Sequence, residues 1–589
     1  MALKLRRAST ILWVLAVFGV VALRASTGEA NALRFNADAE AYLMEVHAWA
    51  HQGRAPDRGV LNVPLGIDLG PLYLATLVPA NWITASPLGV HAVNVLWFFA
   101  GLVVFILGFR ERCGVLGAST IGLLYAVSEQ HAVLMEVAYH VGAVPGASLA
   151  FLGCAAGWVD TRARRWFFGG AVSLALLLQL HPLAAVHGVT ALVLLWTTRA
   201  SLSRRLVGGG LAAFVAALAP LLWYALPTLG EAGAGARHSA DSEIAWLDTA
   251  VGTYESLGAR WGLSPASAAL VLALCALGVS RVRRDALAPA LLLGCVAGFV
   301  LVAAAMGFES SGRYYLALIP TAFAGAACGL CAAQQRLGDA LGPALVGALV
   351  VLGAVLPPTE AITAPSGRDT LSAREQEAVM DHLASRGVGW TDLSRRVHGP
   401  LLGSESGPRY LALAARDRVT SSPTESVHWV IRLGDDPPPR PPLATTQLAP
   451  GGRPIQVHTL PEAVNGRAIR AAGAPCANAL PFMWLPASSA LLRTLGFPGH
   501  GPDVHRCLER GQGLTLPVQG PLVVELADEG TFRGQPTRAA FRWHPSGELA
   551  DGTLTALTDR ARYHLDPPPG ATALTVTPAP RRVVYFDAY

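Results

Sequence analysis

Lys4-Leu5-Arg6-Arg7-Ala8-Ser9-Thr10-Ile11-Leu12-Trp13-Val14-Leu15-Ala16-Val17-Phe18-Gly19-Val20-Val21-Ala22-Leu23-Arg24 decides the class of this chain. Three basic side chains stand before an unbroken apolar run, Ile11–Leu23. That is the pattern of a membrane helix whose N-terminus stays in the cytoplasm, where Lys and Arg collect. A cleaved leader starts the same way. However, Leu23-Arg24-Ala25 is a poor small-residue cleavage site and many apolar runs follow, so the helix is expected to be retained.

Working outward, 52% of the 589 residues are hydrophobic, 14% are charged and the mean hydropathy is +0.41. A soluble domain carries about a quarter charged residues. The deficit lies almost wholly in residues 1–358, and the remainder reads as soluble protein. The expected organisation is therefore a transmembrane domain over 1–358, a small α/β unit over 359–434, a Pro-rich linker over 435–452 and a β-rich domain over 453–589. The net charge of +5 is small, and no basic stripe with interleaved aromatics appears, which excludes a nucleic-acid partner.

Arginines set the topology. Arg110/Arg112, Arg162/Arg164/Arg165, Arg199/Arg204/Arg205, Arg281/Arg283/Arg284 and Arg336 each mark a cytoplasmic turn. Successive cytoplasmic turns need an even number of crossings between them. Gly114–Val159, Trp166–Thr198, Leu206–Val279 and Ala286–Ala333 then hold two helices each, with Pro227–Gly262 as an outside loop. Leu341–Leu356 returns the chain to the outside. With the first helix and Val90–Phe109 this gives about eleven spans, and places the C-terminal region outside the cytoplasmic (inner) membrane. The spans hold almost no ionisable residues. Glu136, His140, His181 and His187 are the exceptions, and all but His187 are expected near the outer end of a helix, where polar chemistry concentrates.

The first outside loop runs from about Ser26 to Leu88. It opens Asn36-Ala37-Asp38-Ala39-Glu40-Ala41-Tyr42, continues with a helical stretch Tyr42–Gln52 stopped by Gly53, and passes Pro71-Leu72-Tyr73 into an apolar piece, Leu72–Ile83, expected in the membrane interface. In this order the chain resembles the GT-C superfamily, specifically bacterial family 39 glycosyltransferases akin to protein O-mannosyltransferases. Glu40-Ala41-Tyr42, Gly53 and Pro71-Leu72-Tyr73 match that order. Leu180-His181-Pro182-Leu183 resembles a family helix break at the outer face. Arg313-Tyr314-Tyr315-Leu316 with Pro320, and Val397-His398-Gly399, resemble later family elements. The resemblance spans Met1 to about Gly399. One departure stands out: the family's acidic pair is adjacent, whereas here Ala39 separates Asp38 from Glu40.

The resemblance implies a polyprenyl-phosphate sugar donor and transfer with inversion to a glycan, lipid or protein acceptor. A carboxylate would take the acceptor's proton, and a fixed cation would stabilise the leaving phosphate. Asp38 is the candidate base, with Glu40 in reserve. Arg313, with Tyr314, is the candidate donor-phosphate partner, because a guanidinium matches phosphate oxygens in a bidentate fork; anchoring a helix to headgroups is the competing role. Glu136, His140 and His181 are candidate cavity-lining residues. Glu136 and His140, four apart, share a helix face and could instead pair with each other. His181-Pro182 could equally be a plain helix-breaking turn. No metal site is assigned and no cofactor is indicated, although some superfamily members use a divalent ion.

Cys328 and Cys331 form a C-x-x-C in an apolar helix and read as small core residues. Cys476 and Cys507, the two cysteines of the soluble part, are the disulfide candidates. Ser372-Ala373-Arg374-Glu375 reads as a capping box opening a helix with Ala378, Val379, His382 and Leu383 on one side. Strands are expected at Tyr410–Ala414 and His428–Leu433. After the linker, alternating runs at Ile455–Leu460, Leu514–Val518, Leu522–Leu526, Arg538–Trp543, Ala561–Leu565, Ala573–Thr577 and Arg582–Phe586 suggest an antiparallel β-sandwich. Trp484 and Trp543 could be core residues or sugar platforms. Besides the transferase, two other functions stay open: a transporter or flippase of a lipid-linked glycan, and a non-catalytic membrane scaffold.

Overall fold

The computed structural model describes residues 2–26, 33–35, 37–56, 61–62, 67–126, 131, 135, 138–228, 274, 277–278, 286–294, 318–337, 371–388, 397–398, 408–415, 427–434, 441–450, 452–461, 474–475, 506–508, 513–518, 520–527, 538–550, 552–556, 561–578 and 583–588. Among them the helices run α1 (Ala2–Arg24), α2 (Ala37–Gln52), α3 (Leu72–Ile83), α4 (Pro87–Ala126), α5 (Val144–Thr161), α6 (Arg164–Leu180), α7 (Val186–Thr197), α8 (Arg204–Thr228), α9 (Leu318–Leu337), α10 (Ala373–Ser385) and α11 (Pro408–Ala414). The chain forms two units. One comprises Met1–Ala30, Ala55–Ile83 and Gly89–Ala364; the other comprises Asn31–Arg54, Thr84–Leu88 and Pro365–Tyr589.

The first unit is helical apart from a short antiparallel pair, β1 (Leu61–Asn62) and β2 (Ile67–Asp68). Among the described residues, three of its helices are long and apolar enough to cross a membrane: Pro87–Ala126, His140–Thr161 and Arg204–Leu226. Ile11–Leu23, Leu72–Ile83, Val186–Thr197 and Pro320–Ala332 are shorter apolar helices. The outward side chains are apolar too: Leu12, Leu15 and Leu23 on α1, Leu96 and Leu107 on α4, Leu192 and Trp196 on α7, and Leu211, Trp223 and Leu226 on α8 are exposed. Such a surface is stable against lipid, not water.

α4 is two helices meeting at Gly114, whose φ of 69° and ψ of 164° leave the helical region. α5 and α6 are joined by a tight turn in which Arg162 takes the left-handed conformation at φ 53°. The Arg112 guanidinium forks onto Asp160, with Nε to Oδ2 at 3.0 Å and Nη2 to Oδ1 at 2.5 Å. The chain therefore leaves Arg112 and returns to the same end of the unit, as the spacing of arginine clusters requires. Backbones touch between α4 and α5: a Cβ on Gly101 or Gly108 would collide with the carbonyl of Gly146 or Gly153. The pair expected in Trp166–Thr198 is α6 and α7. Most of residues 229–317 lie outside the described set, so the expected eleven spans are not counted there.

The second unit joins α2, α10 and α11 to three sheets. β3 (Val397–His398), β4 (Val427–Leu433), β5 (Ala444–Leu448) and β6 (Ile455–Pro461) form a sheet in the order β3-β4-β6-β5. This corrects one expectation. Tyr410–Ala414 is helical, not a strand: its apparent alternation is made of Leu and Ala, the strongest helix formers, and Tyr410, Leu411 and Ala415 are buried at helical spacing. Within the stretch 435–452, Ala444–Leu448 forms β5, and β6 beyond it pairs along the whole of β4.

Downstream are β7 (Ala474–Pro475), β8 (Arg506–Leu508), β9 (Leu514–Pro517), β10 (Leu522–Ala527), β11 (Ala539–His544), β12 (Thr553–Ala556), β13 (Ala561–Leu565), β14 (Ala573–Pro578) and β15 (Val583–Ala588). They build a six-stranded sheet, β12-β13-β10-β15-β8-β7, and a three-stranded sheet, β11-β14-β9, both antiparallel. Leu516, Val524, Trp543, Leu565 and Val576 share one core between them. Trp543 is therefore core, not a sugar platform; Trp484 lies outside the described residues. On the opposite face of β10, Val523 packs with Val430 and Leu460 of the four-stranded sheet.

Candidate functional site

The acidic residues of the first outside loop sit on a helix. α2 starts at Ala37, five residues earlier than expected, so Asp38 and Glu40 occupy its first turn, where the unpaired amides and the helix dipole favour negative charge. Gly53, at φ 67°, ends the helix in the left-handed conformation that a Cβ would disfavour, and the Arg54 amide returns to the Ala48 carbonyl at 3.3 Å. α2 belongs to the second unit. Glu40 is only 3% exposed. Its Oε1 accepts the backbone N–H of Tyr410 at 3.0 Å. The side chain of Asp38 lies outside the described residues.

The segment before α2 is tied down as well. Leu33 and Phe35 are fully buried. The Leu33 carbonyl accepts the Ala373 amide at 2.7 Å, and the Phe35 carbonyl accepts Nε2 of Gln376 at 3.0 Å. The Tyr410 ring stands edge-on to Phe35 at 5.8 Å and to His47 at 6.4 Å.

In the helical unit, two expected lining residues come together. His140 opens the short 3-10 turn before α5, and His181 caps α6 in extended conformation; their rings stack at 6.0 Å. Both are buried. Tyr73, in the first turn of α3, stands edge-on to His140 at 6.1 Å and donates its hydroxyl to Oδ1 of Asn94 at 3.1 Å. Asn94 Nδ2 donates to the Tyr139 carbonyl at 3.2 Å. A Cβ on Gly142 would meet that amide group. The cluster lies at the ends of α5 and α6 away from Arg112 and Asp160. His181-Pro182 does break the helix, through the 3-10 turn Pro182–Ala185. His187, one turn further, is fully buried, with Nε2 3.2 Å from the Ser148 hydroxyl.

Asn94 was not singled out from sequence, although a fully buried amide inside the apolar run Val90–Phe109 was a legible signal. Arg313, Tyr314, Glu136 and Cys476 lie outside the described residues. Cys507 lies in β8 opposite Ala474, and its side chain lies outside them. Cys113, Cys154, Cys328 and Cys331 are buried in the helical unit, which agrees with the core reading of the C-x-x-C. Among the described residues no three His, Cys, Asp or Glu side chains group as metal ligands.

No protein-family model and no curated protein matches the chain. Solved structures do. ArnT from Cupriavidus metallidurans bound to undecaprenyl phosphate is 12% identical, with a TM-score of 0.46 over 76% of this chain and 98% of that one. The Archaeoglobus fulgidus oligosaccharyltransferase in its apo form is 11% identical, with a TM-score of 0.42 over 64% of this chain and 58% of that one. The arabinosyltransferase EmbB from Mycobacterium smegmatis is 12% identical, with a TM-score of 0.31 over 97% of this chain and 64% of that one.

Proposed function

We propose that the chain is an inverting GT-C glycosyltransferase. It moves a sugar from a polyprenyl-phosphate donor to a hydroxyl of a glycan, lipid or protein at the outer face of the cytoplasmic membrane. The N-terminus lies inside and the C-terminal unit outside. The observation that carries this reading is the acidic first turn of α2, which in chain order follows the first apolar helix and precedes the α3 segment that begins at Leu72.

The acceptor oxygen attacks the anomeric carbon and loses its proton to a first-turn carboxylate. The anomeric carbon–oxygen bond to the phosphate breaks with its electron pair, and polyprenyl phosphate leaves. Arg313, with Tyr314, neutralises the charge growing on that phosphate. Asp38 is the proposed base. His140 and His181, beside Tyr73 and Asn94, add buried ring and amide groups on the helical unit that suit a polar ligand; Glu136 is proposed to join them. Cys476 and Cys507 are proposed to pair as a disulfide, as an oxidising outer compartment allows.

Reconstituted vesicles offered a panel of polyprenyl-phosphate hexoses and pentoses test the reading. The expected result is release of free polyprenyl phosphate, abolished by Asp38→Asn in a folded protein. Absence of release from every donor, together with movement of labelled lipid across the bilayer, would establish a transporter instead.

A further inference from the structure

We infer that Glu40 is a positioning residue and not the base, and that the C-terminal unit sets the backbone on which Asp38 stands. The inference rests on the transferase reading for its catalytic consequence and on the geometry of the second unit for its physical basis.

A general base must reach the acceptor hydroxyl and be free to take its proton. Glu40 is buried and spends Oε1 on the amide of Tyr410, 370 positions away in sequence. That amide belongs to the third residue of α11 and is one of the opening N–H groups for which a helix supplies no acceptor. The carboxylate therefore completes α11, and α11 fixes α2 in return.

Two further ties hold the chain just before Asp38. The Ala373 amide, likewise an opening donor of α10, is taken by the Leu33 carbonyl, and Gln376 Nε2 bridges the carbonyls of Phe35 and Leu371, at 3.0 Å each. α10 is itself fixed by its capping box and by Arg453, whose Nε and Nη2 fork onto Glu375 at 3.0 and 2.6 Å. Residues 33–40 thus take their course from side chains and amides found 330 or more positions later. A misplacement on the order of 1 Å at a reacting group costs about a hundredfold in rate, so these contacts bear on turnover without touching substrate.

The test uses the full chain in lipid nanodiscs, with turnover of a polyprenyl-phosphate sugar and amide hydrogen exchange read on the same samples. Glu40→Gln keeps an acceptor oxygen for Tyr410. It is expected to hold the exchange protection of Tyr410 and α2, with kcat within about threefold of wild type. Glu40→Ala, and Gln376→Met as an independent variant, are expected to lose protection across 33–54 and to lower kcat about tenfold to a hundredfold with KM little changed. Asp38→Asn is expected to abolish turnover with protection intact.

Loss of turnover in Glu40→Gln as complete as in Asp38→Asn, with protection intact, would make Glu40 a base and overturn the inference. So would wild-type protection in both Glu40→Ala and Gln376→Met. If wild type turns over no donor, the transferase reading fails by itself, and exchange alone still decides whether the C-terminal unit holds the segment.

Discussion

Tyr73 shows what one hydroxyl does in a buried cluster. It donates to Asn94 at 3.1 Å, and Asn94 donates onward to the Tyr139 carbonyl. Tyr73→Phe keeps the ring against His140 but leaves the buried Oδ1 of Asn94 without that donor. An unsatisfied buried polar atom costs about 1–3 kcal/mol, so the helical unit should unfold several degrees lower in detergent, as followed by circular dichroism. His458 is the residue to watch for pH. Burial, and then the nearby Arg432, hold its pKa below the usual 6.5, and burial and then Arg386 do the same for His382. The fold prefers both rings neutral, whereas the unfolded chain protonates them near 6.5. Stability present at pH 7 is therefore lost as pH falls through that value and on toward the folded-state pKa. Melting of the second unit should shift down between about pH 7 and pH 5, and substituting His458 with Gln should shrink the shift. Of these partners only Arg386, four residues from His382, was written in local sequence. Glu40 illustrates the point: its acidity and place on the outer loop were legible, but its acceptor role was set by a residue 370 positions away.

At the scale of elements, the capping box at α10 was legible because every part of it is local. Ser372 accepts the Glu375 amide at 3.4 Å, and the Ser372 amide donates to Glu375 Oε2 at 2.8 Å. Its ion pair was not legible, since Arg453 lies beyond the stretch that proline content marked as a linker. Pro437-Pro438-Pro439-Arg440-Pro441-Pro442 dominates that composition and hid the strand Ala444–Leu448 next to it. The strands of the sandwich were readable because alternation survives in each, as in the buried Leu522, Val524 and Leu526 of β10. Tyr410–Ala414 failed because a short apolar run carries no period long enough to separate helix from strand. The Arg453–Glu375 pair gives the sharpest element-scale prediction. The Glu375 side chain is 1% exposed and that of Arg453 15%. Arg453→Ala leaves a buried carboxylate without its fork and should cost about 3–5 kcal/mol, read as a loss of midpoint in urea. Arg453→Met with Glu375→Gln should recover much of it, because the uncompensated charge and not the missing pair carries the cost.

At the scale of the whole molecule, the order of the chain and the order of the units differ. Asn31–Arg54 precedes most of the helical unit in sequence, yet clusters with Pro365–Tyr589. A fragment beginning at Pro365 therefore lacks part of its own unit. It would expose Tyr410, which packs on Phe35, and it would free the Ala373 and Tyr410 amides and the Gln376 side chain from their acceptors. Burying a side chain such as Leu33 or Phe35 contributes about 1.5–3 kcal/mol, and each hydrogen bond about 0.5–1.5 kcal/mol. The sum is several kcal/mol, comparable to the 5–15 kcal/mol that holds an ordinary domain together. The fragment 365–589 should therefore bind a dye for exposed apolar surface and melt broadly. The same fragment with residues 31–54 fused ahead of it through a flexible linker should melt cooperatively and exclude the dye, and Phe35→Ala in that fusion should undo most of the gain. Equal behaviour of the two fragments would mean that the α2 segment lies on the C-terminal unit without stabilising it. A difference would mean that the transmembrane chain lends this helix to the C-terminal fold as a structural part.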